Sequence, residues 1–173
     1  MTSLNEFKSQ KLGKEKLCAI FESIALKSGC SVARQEKQDE DNPFEEYLIE
    51  MPDGISLKVH VLIKNISGAG WADKPEIKRI QVRKLPEIPR QSSKEFFMLC
   101  GVCEIGSELI LAVWDPNNYT THSTCCSCYV YFSSFTKAIT NGFFYGLNKG
   151  KEVMTCSDDH LVELLKEISS RYI

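Results

Sequence analysis

The sequence predicts an α+β domain: a mainly antiparallel pseudobarrel of about seven or eight strands with N-terminal, short central and C-terminal helices. Three observations lead there. Runs of strand-like apolar residues fill the middle of the chain, mostly short turn signals join them, and helical spacing of apolar residues occurs near both ends. Alternating strand–helix units are absent, which argues against a doubly wound sheet.

Leu17, Ile20, Phe21 and Ile24 fall at helical spacing, and Gly29 supplies a stop signal. Residues 35–45, with Asp39, Glu40, Asp41, Asn42 and Pro43, form an acidic loop. Strands over residues 46–51 and 55–63 flank the turn Pro52-Asp53-Gly54. Residues 65–75 make a polar loop carrying Gly68, Gly70 and Trp71. In the strand at 76–82, Ile77, Arg79 and Gln81 alternate with Lys78, Ile80 and Val82. A loop with Pro86 and Pro89 precedes a second hairpin, 96–103 and 108–114, turning at Gly106. Residues 115–124 form a loop rich in Asn and Thr, followed by a strand at 126–132.

A short helix at 135–140 starts at a Ser cap and stops at Asn141-Gly142, and a strand pair at 143–156 turns at Asn148-Lys149-Gly150. Ser157 can cap the last helix, Asp158 and Asp159 suit its positive end, and Leu161, Leu164, Leu165 and Ile168 form its apolar face. The core is expected to include Ile49, Val59, Val61, Ile80, Leu111, Val113, Val130, Val153, Leu161 and Leu165.

The 173 residues suit one domain over 1–173, whether whole or excised from a longer protein. No apolar run approaches the roughly 20 residues that cross a bilayer. The first residues lack the apolar stretch of a signal peptide, so a cytoplasmic protein with no membrane partner is expected. The net charge is only -2, but its distribution is uneven. Residues 35–57 hold eight acidic side chains against one lysine, whereas 58–95 hold nine basic against four acidic. A segregated basic face can attract phosphate even on an acidic chain.

Two loops carry the strongest binding chemistry. In the first, Asn65, Ser67 and Trp71 lead through Lys74 into Lys78, Arg79 and Arg83, residues suited to stacking and to phosphate contacts. The second offers Asn117, Asn118, Tyr119, His122 and Ser123; Asn can pair with an adenine edge, and the hydroxyls and His suit bases or phosphates. These residues are candidate DNA contacts.

The segment KPEIKRIQV after Trp71, the stretch from Leu99 through AVWDPNNYTTHST to Gly142, and the closing KGKEVMTCSDDHLVELL together resemble a known pattern. It is that of the DNA-reading pseudobarrel domain of bacterial restriction systems, found in the effector domain of EcoRII-type enzymes and in the N-terminal domains of McrB-like and LlaJI-like motor subunits. The resemblance covers residues 46–170. It implies two arms that grip the DNA major groove, carried onto residues 65–79 and 115–124. It also implies double-stranded DNA as partner, with a nuclease or motor subunit of the same system nearby. No cofactor and no catalytic residue is expected in the chain.

Two rival patterns are present. Pro52-Asp53 with Glu76-Ile77-Lys78 fits the loose arrangement of a Mg-dependent nuclease, in which two carboxylates hold the metal and a lysine orients water. Asp53 is equally explained by its turn. Cys100-x-x-Cys103 and Cys125-x-x-Cys128 have zinc-ligand spacing, as a zinc-bound protein-interaction module would. Residues three apart on a strand point to opposite faces, however, and Cys126 alternating with Cys128 reads as core.

Overall fold

The apolar run at residues 95–105 becomes β7 (Glu95–Ile105), and both of its faces are buried. The computed structural model describes residues 3–9, 11–120, 124–148 and 150–172. Among them are eleven strands and three α-helices. The N-terminal part holds β1 (Phe7–Lys8), α1 (Lys14–Lys27) and β2 (Ser31–Arg34), followed by β3 (Glu45–Glu50) and β4 (Ser56–Asn65). Next come β5 (Ser67–Gly68), β6 (Ile77–Arg83), β7, β8 (Glu108–Trp114) and β9 (Cys125–Tyr131). The chain closes with α2 (Phe132–Asn141), β10 (Phe143–Asn148), β11 (Lys151–Ser157) and α3 (Leu161–Ser170).

Eight strands form one sheet in the order β10-β11-β8-β7-β4-β3-β2, with β1 added on β7. The sheet begins at β10 and ends at β2, so it does not close as a barrel. Its pairs are antiparallel except β4 with β7, which run parallel. A parallel pair needs a crossover connection. Residues 66–94 supply it, and β5 and β6 within this crossover join β9 in a separate antiparallel sheet. The chain is therefore α+β and mainly antiparallel, as its pattern implies.

Alternation along β7 divides the core in two. Phe96, Met98, Cys100 and Val102 pack with Phe21 and Ile24 of α1 and with Leu161 and Leu165 of α3. Leu99, Cys103 and Ile105 pack on the other side with Ile80, Val82, Cys128 and Val130 of the small sheet and with Phe135 of α2. The result is three layers with the large sheet in the middle. All ten residues expected in the core are buried. Gly101 lies where the two sheets approach: a Cβ there would stand 2.6 Å from Ile66 and 2.7 Å from Ile80.

Three strands escaped the sequence pattern. β1 and β5 have two residues each, and Ser31–Arg34 has too little apolar alternation to register. Two helix starts also differ. Ser157 belongs to β11, and the Leu161 backbone N–H at the head of α3 donates instead to Ser28 Oγ at 2.9 Å, a cap supplied from the end of α1. Ser133 and Ser134 lie inside α2, whose Phe132 N–H donates to the Glu76 carbonyl at 2.7 Å. Gly142, at φ 86°, ends α2 where the stop signal stands. Among the described residues no helix is long and apolar enough to cross a membrane.

Candidate nucleic-acid interface

Period-two alternation decides which side chains of β6 reach solvent. Ile80 and Val82 enter the core, whereas Arg79, Gln81 and Arg83 point outward. Opposite them on β9 stand Tyr129, Ser127 and Cys125, in the pairs Arg79–Tyr129, Gln81–Ser127 and Arg83–Cys125. Arg79 Nη1 donates to Ser127 Oγ at 3.2 Å, which orients its guanidinium along the sheet.

The first loop folds back over this face. Trp71 is 38% exposed, so it is displayed rather than buried in the core. Its indole stacks on Tyr129 with centroids 5.3 Å apart, and Lys74 Nζ lies 5.9 Å from its ring centroid. Ser67 sits on β5 opposite Arg79. A strip of aromatic, basic and hydroxyl groups thus runs along β6 and β9. Six residue steps of strand make it ~20 Å long.

The second loop ends at the far end of the strip, tied to β6 by the Lys84 N–H on the Thr124 carbonyl at 2.7 Å. Asp115 accepts from the backbone N–H of Asn117 at 2.9 Å and from its Nδ2 at 3.1 Å, which shapes a turn of 3-10 helix at Pro116–Tyr119. Asn117 and Asn118 are exposed. Tyr119 is buried in the second core, and burial raises its phenol above the usual range. His122 and Ser123 lie outside the described residues.

Two expected contacts have other partners. Asn65 Oδ1 accepts from the Leu12 N–H at 3.2 Å and Nδ2 donates to the Leu12 carbonyl at 3.0 Å, tethering the N-terminal segment. Lys78 is only 9% exposed, and its ammonium lies 4.2 Å from the Phe7 ring centroid. Burial holds that ammonium below the usual lysine range. Its place on the Ile80 side of the strand already implied this, and the strand's basic composition hid it. Lys78→Met keeps the length and removes a desolvated charge. We expect stability unchanged or raised by up to about 1 kcal/mol, with duplex affinity unaltered. A loss of affinity matching that of Arg83→Ala would place the ammonium on phosphate instead.

The rival patterns are dispersed. Asp53 sits in the β3–β4 turn, accepts from the Ile55 N–H and pairs with Lys166 of α3 at 3.3 Å. Glu76 precedes β6 in the other layer, and Lys78 points beneath Phe7. Cys100 and Cys103 face the two separate cores and cannot share one ion. Among the described residues no group of three His, Cys, Asp or Glu could hold a metal.

Ser157, Asp159 and His160 form a cluster that has the composition of a hydrolytic triad but not its geometry. Ser157 Oγ and Asp159 Oδ1 both meet His160 Nδ1, at 2.9 and 2.6 Å, whereas a proton relay needs both ring nitrogens. The imidazole packs on Gly142, where a Cβ would stand 2.4 Å from it, so the cluster fastens α2 to the head of α3.

Residues 57–165 match the family model described as Methylase-associated X1. No curated protein and no solved structure matches the chain.

Proposed function

Because the chain belongs to the Methylase-associated X1 family, which is associated with restriction-modification, we propose that it is a cytoplasmic module reading double-stranded DNA by sequence or modification. Cleavage belongs to another domain or to a nuclease or motor subunit of the same system. The observation that carries this reading is the outward strip of β6 and β9. There Lys74, Arg79 and Arg83 flank the stacked pair Trp71 and Tyr129.

Arginine and lysine position a protein on phosphates without reading sequence. Gln81, in the middle of the strip, has the amide that pairs with an adenine edge, and exposed Asn118 has the same chemistry. The strip is longer than the roughly 12 Å width of the major groove, so both loops can reach its walls while β6 faces the bases.

The test is a shift assay on a randomised duplex library, with and without methylated cytosine. Arg83→Ala should weaken all duplexes alike and lower the salt slope by roughly one unit. Gln81→Ala or Asn118→Ala should cost on the order of 1–3 kcal/mol on the preferred site and little on random DNA. If none of these changes alters binding to any duplex, the strip is a protein-docking surface and the reading fails.

A further inference from the structure

Asn148 ends β10 at the hairpin to β11, where a turn alone would explain an asparagine. Its surroundings do not resemble a turn. The residue is 6% exposed, and among the described residues neither its amide nitrogen nor its amide oxygen has a hydrogen-bond partner. Buried polar side chains are nearly always paired, because an unmade bond forfeits hydration without return.

The residue borders a cleft of about 380 Å³ lined also by Tyr119, Cys126, Ser127, Tyr129 and Lys151. That is within the roughly 300–1,000 Å³ of small-molecule sites. Lys151 is the cross-strand partner of Asn148, and its ammonium lies 4.4 Å from the Tyr119 ring centroid. The cleft adjoins the strip described above, because Ser127 and Tyr129 belong to both.

We propose that this cleft takes a nucleobase, with its hydrogen-bonding edge on the Asn148 amide and its sugar-phosphate toward Lys151. The amide presents a donor and an acceptor side by side, the complement of a base edge such as that of adenine. Two phenol rings suit a flat heteroaromatic, and one cation suits the phosphate that accompanies it. Both amide atoms are out of solvent's reach, so the side chains that cover them move aside as the base enters. The base has two possible sources: a nucleotide extruded from a duplex, which rests on the DNA-reading function above, or a free nucleotide, which does not.

The experiment follows the Asn148 side-chain amide resonance of the full chain, assigned by its loss in Asn148→Ala. That variant removes an unpaired group and should melt no lower than the parent. The probes are the four common mononucleotides, ribose 5-phosphate as a base-free control, and short duplexes with or without one mismatched pair. A shift with mononucleotides but not with ribose 5-phosphate assigns a free nucleotide. Suppose instead that mononucleotides are silent while the mismatched duplex moves the resonance. If it also binds roughly tenfold tighter than the matched one, and only when Asn148 is present, the base is extruded. Duplex binding with the resonance unmoved by every probe overturns the cleft and leaves DNA reading intact. Mononucleotide binding without any duplex binding does the reverse. Silence from every probe overturns both.

Discussion

Gly101→Val will destabilise the protein by on the order of 3 kcal/mol and loosen the small sheet from the large one. Position 101 faces the second core, and even a single carbon added there meets Ile66 at 2.6 Å and Ile80 at 2.7 Å. Both isoleucines are fully buried, so neither can turn away without displacing its neighbours. The entropic benefit of replacing a glycine, about 0.4–1 kcal/mol, is too small to offset that overlap. Denaturant unfolding gives the stability change. Ile66→Ala in the same chain removes two of the three close contacts, so the double variant should lose less than the sum of the singles. Additive losses would mean that crowding at Gly101 is not the cause. Because β6 carries the proposed recognition strip, Gly101→Val should also weaken duplex binding without touching any residue of the strip.

The second large effect is at Glu45, which is 3% exposed and receives Lys14, Lys37 and Arg34 at 2.6, 3.0 and 3.1 Å. The cluster joins the start of α1, the end of β2 and the start of β3. Burial alone would raise the carboxyl, but hydrogen bonds from Lys14, Lys37 and Arg34 outweigh it and hold the group at about 2. A folded value below the unfolded one stabilises the protein above the unfolded value and is lost as pH falls through the folded one. The window therefore runs from about pH 4.5 down to about 2. The stability involved is about 3 kcal/mol. Glu45→Ala should lose a similar amount at neutral pH, because three cations are left facing one another. Its unfolding free energy should then change less than the parent's across the acid window. Equal pH profiles for parent and variant would remove Glu45 from the account of acid stability.

The outward strip of β6 and β9 was half legible in the sequence. The basic run at 74–84 and the exposed Asn loop stand out by residue type. Gln81 was written in the same alternation as Arg79 and Arg83, and needed only that pattern to be followed to its end. Tyr129 and Ser127 were not legible, because their part in the strip depends on the register of β9 against β6, strands 42 or more residues apart in their pairing. Asn148 read as a turn residue. Its buried, unpaired amide borders a cleft that exists only where β9, β10, β11 and Tyr119 meet.

The sequence by itself determined the α+β class, the two amphipathic faces of β6 and the cores of the terminal helices. These follow from local periodicities of two and 3.6, which a chain carries wherever it is placed. It also placed Cys100 and Cys103 on opposite faces of one strand, by the same local rule. Only the tertiary structure decided that β4 runs parallel to β7, so that the crossover between them carries two strands of the small sheet. It alone seated Lys78 beneath Phe7, gave α3 its cap from Ser28, and made Gly101, within a strand, the contact point of two sheets. Each of these depends on which distant segments meet. That choice is made by packing complementarity summed over whole layers, and no short window of sequence records it.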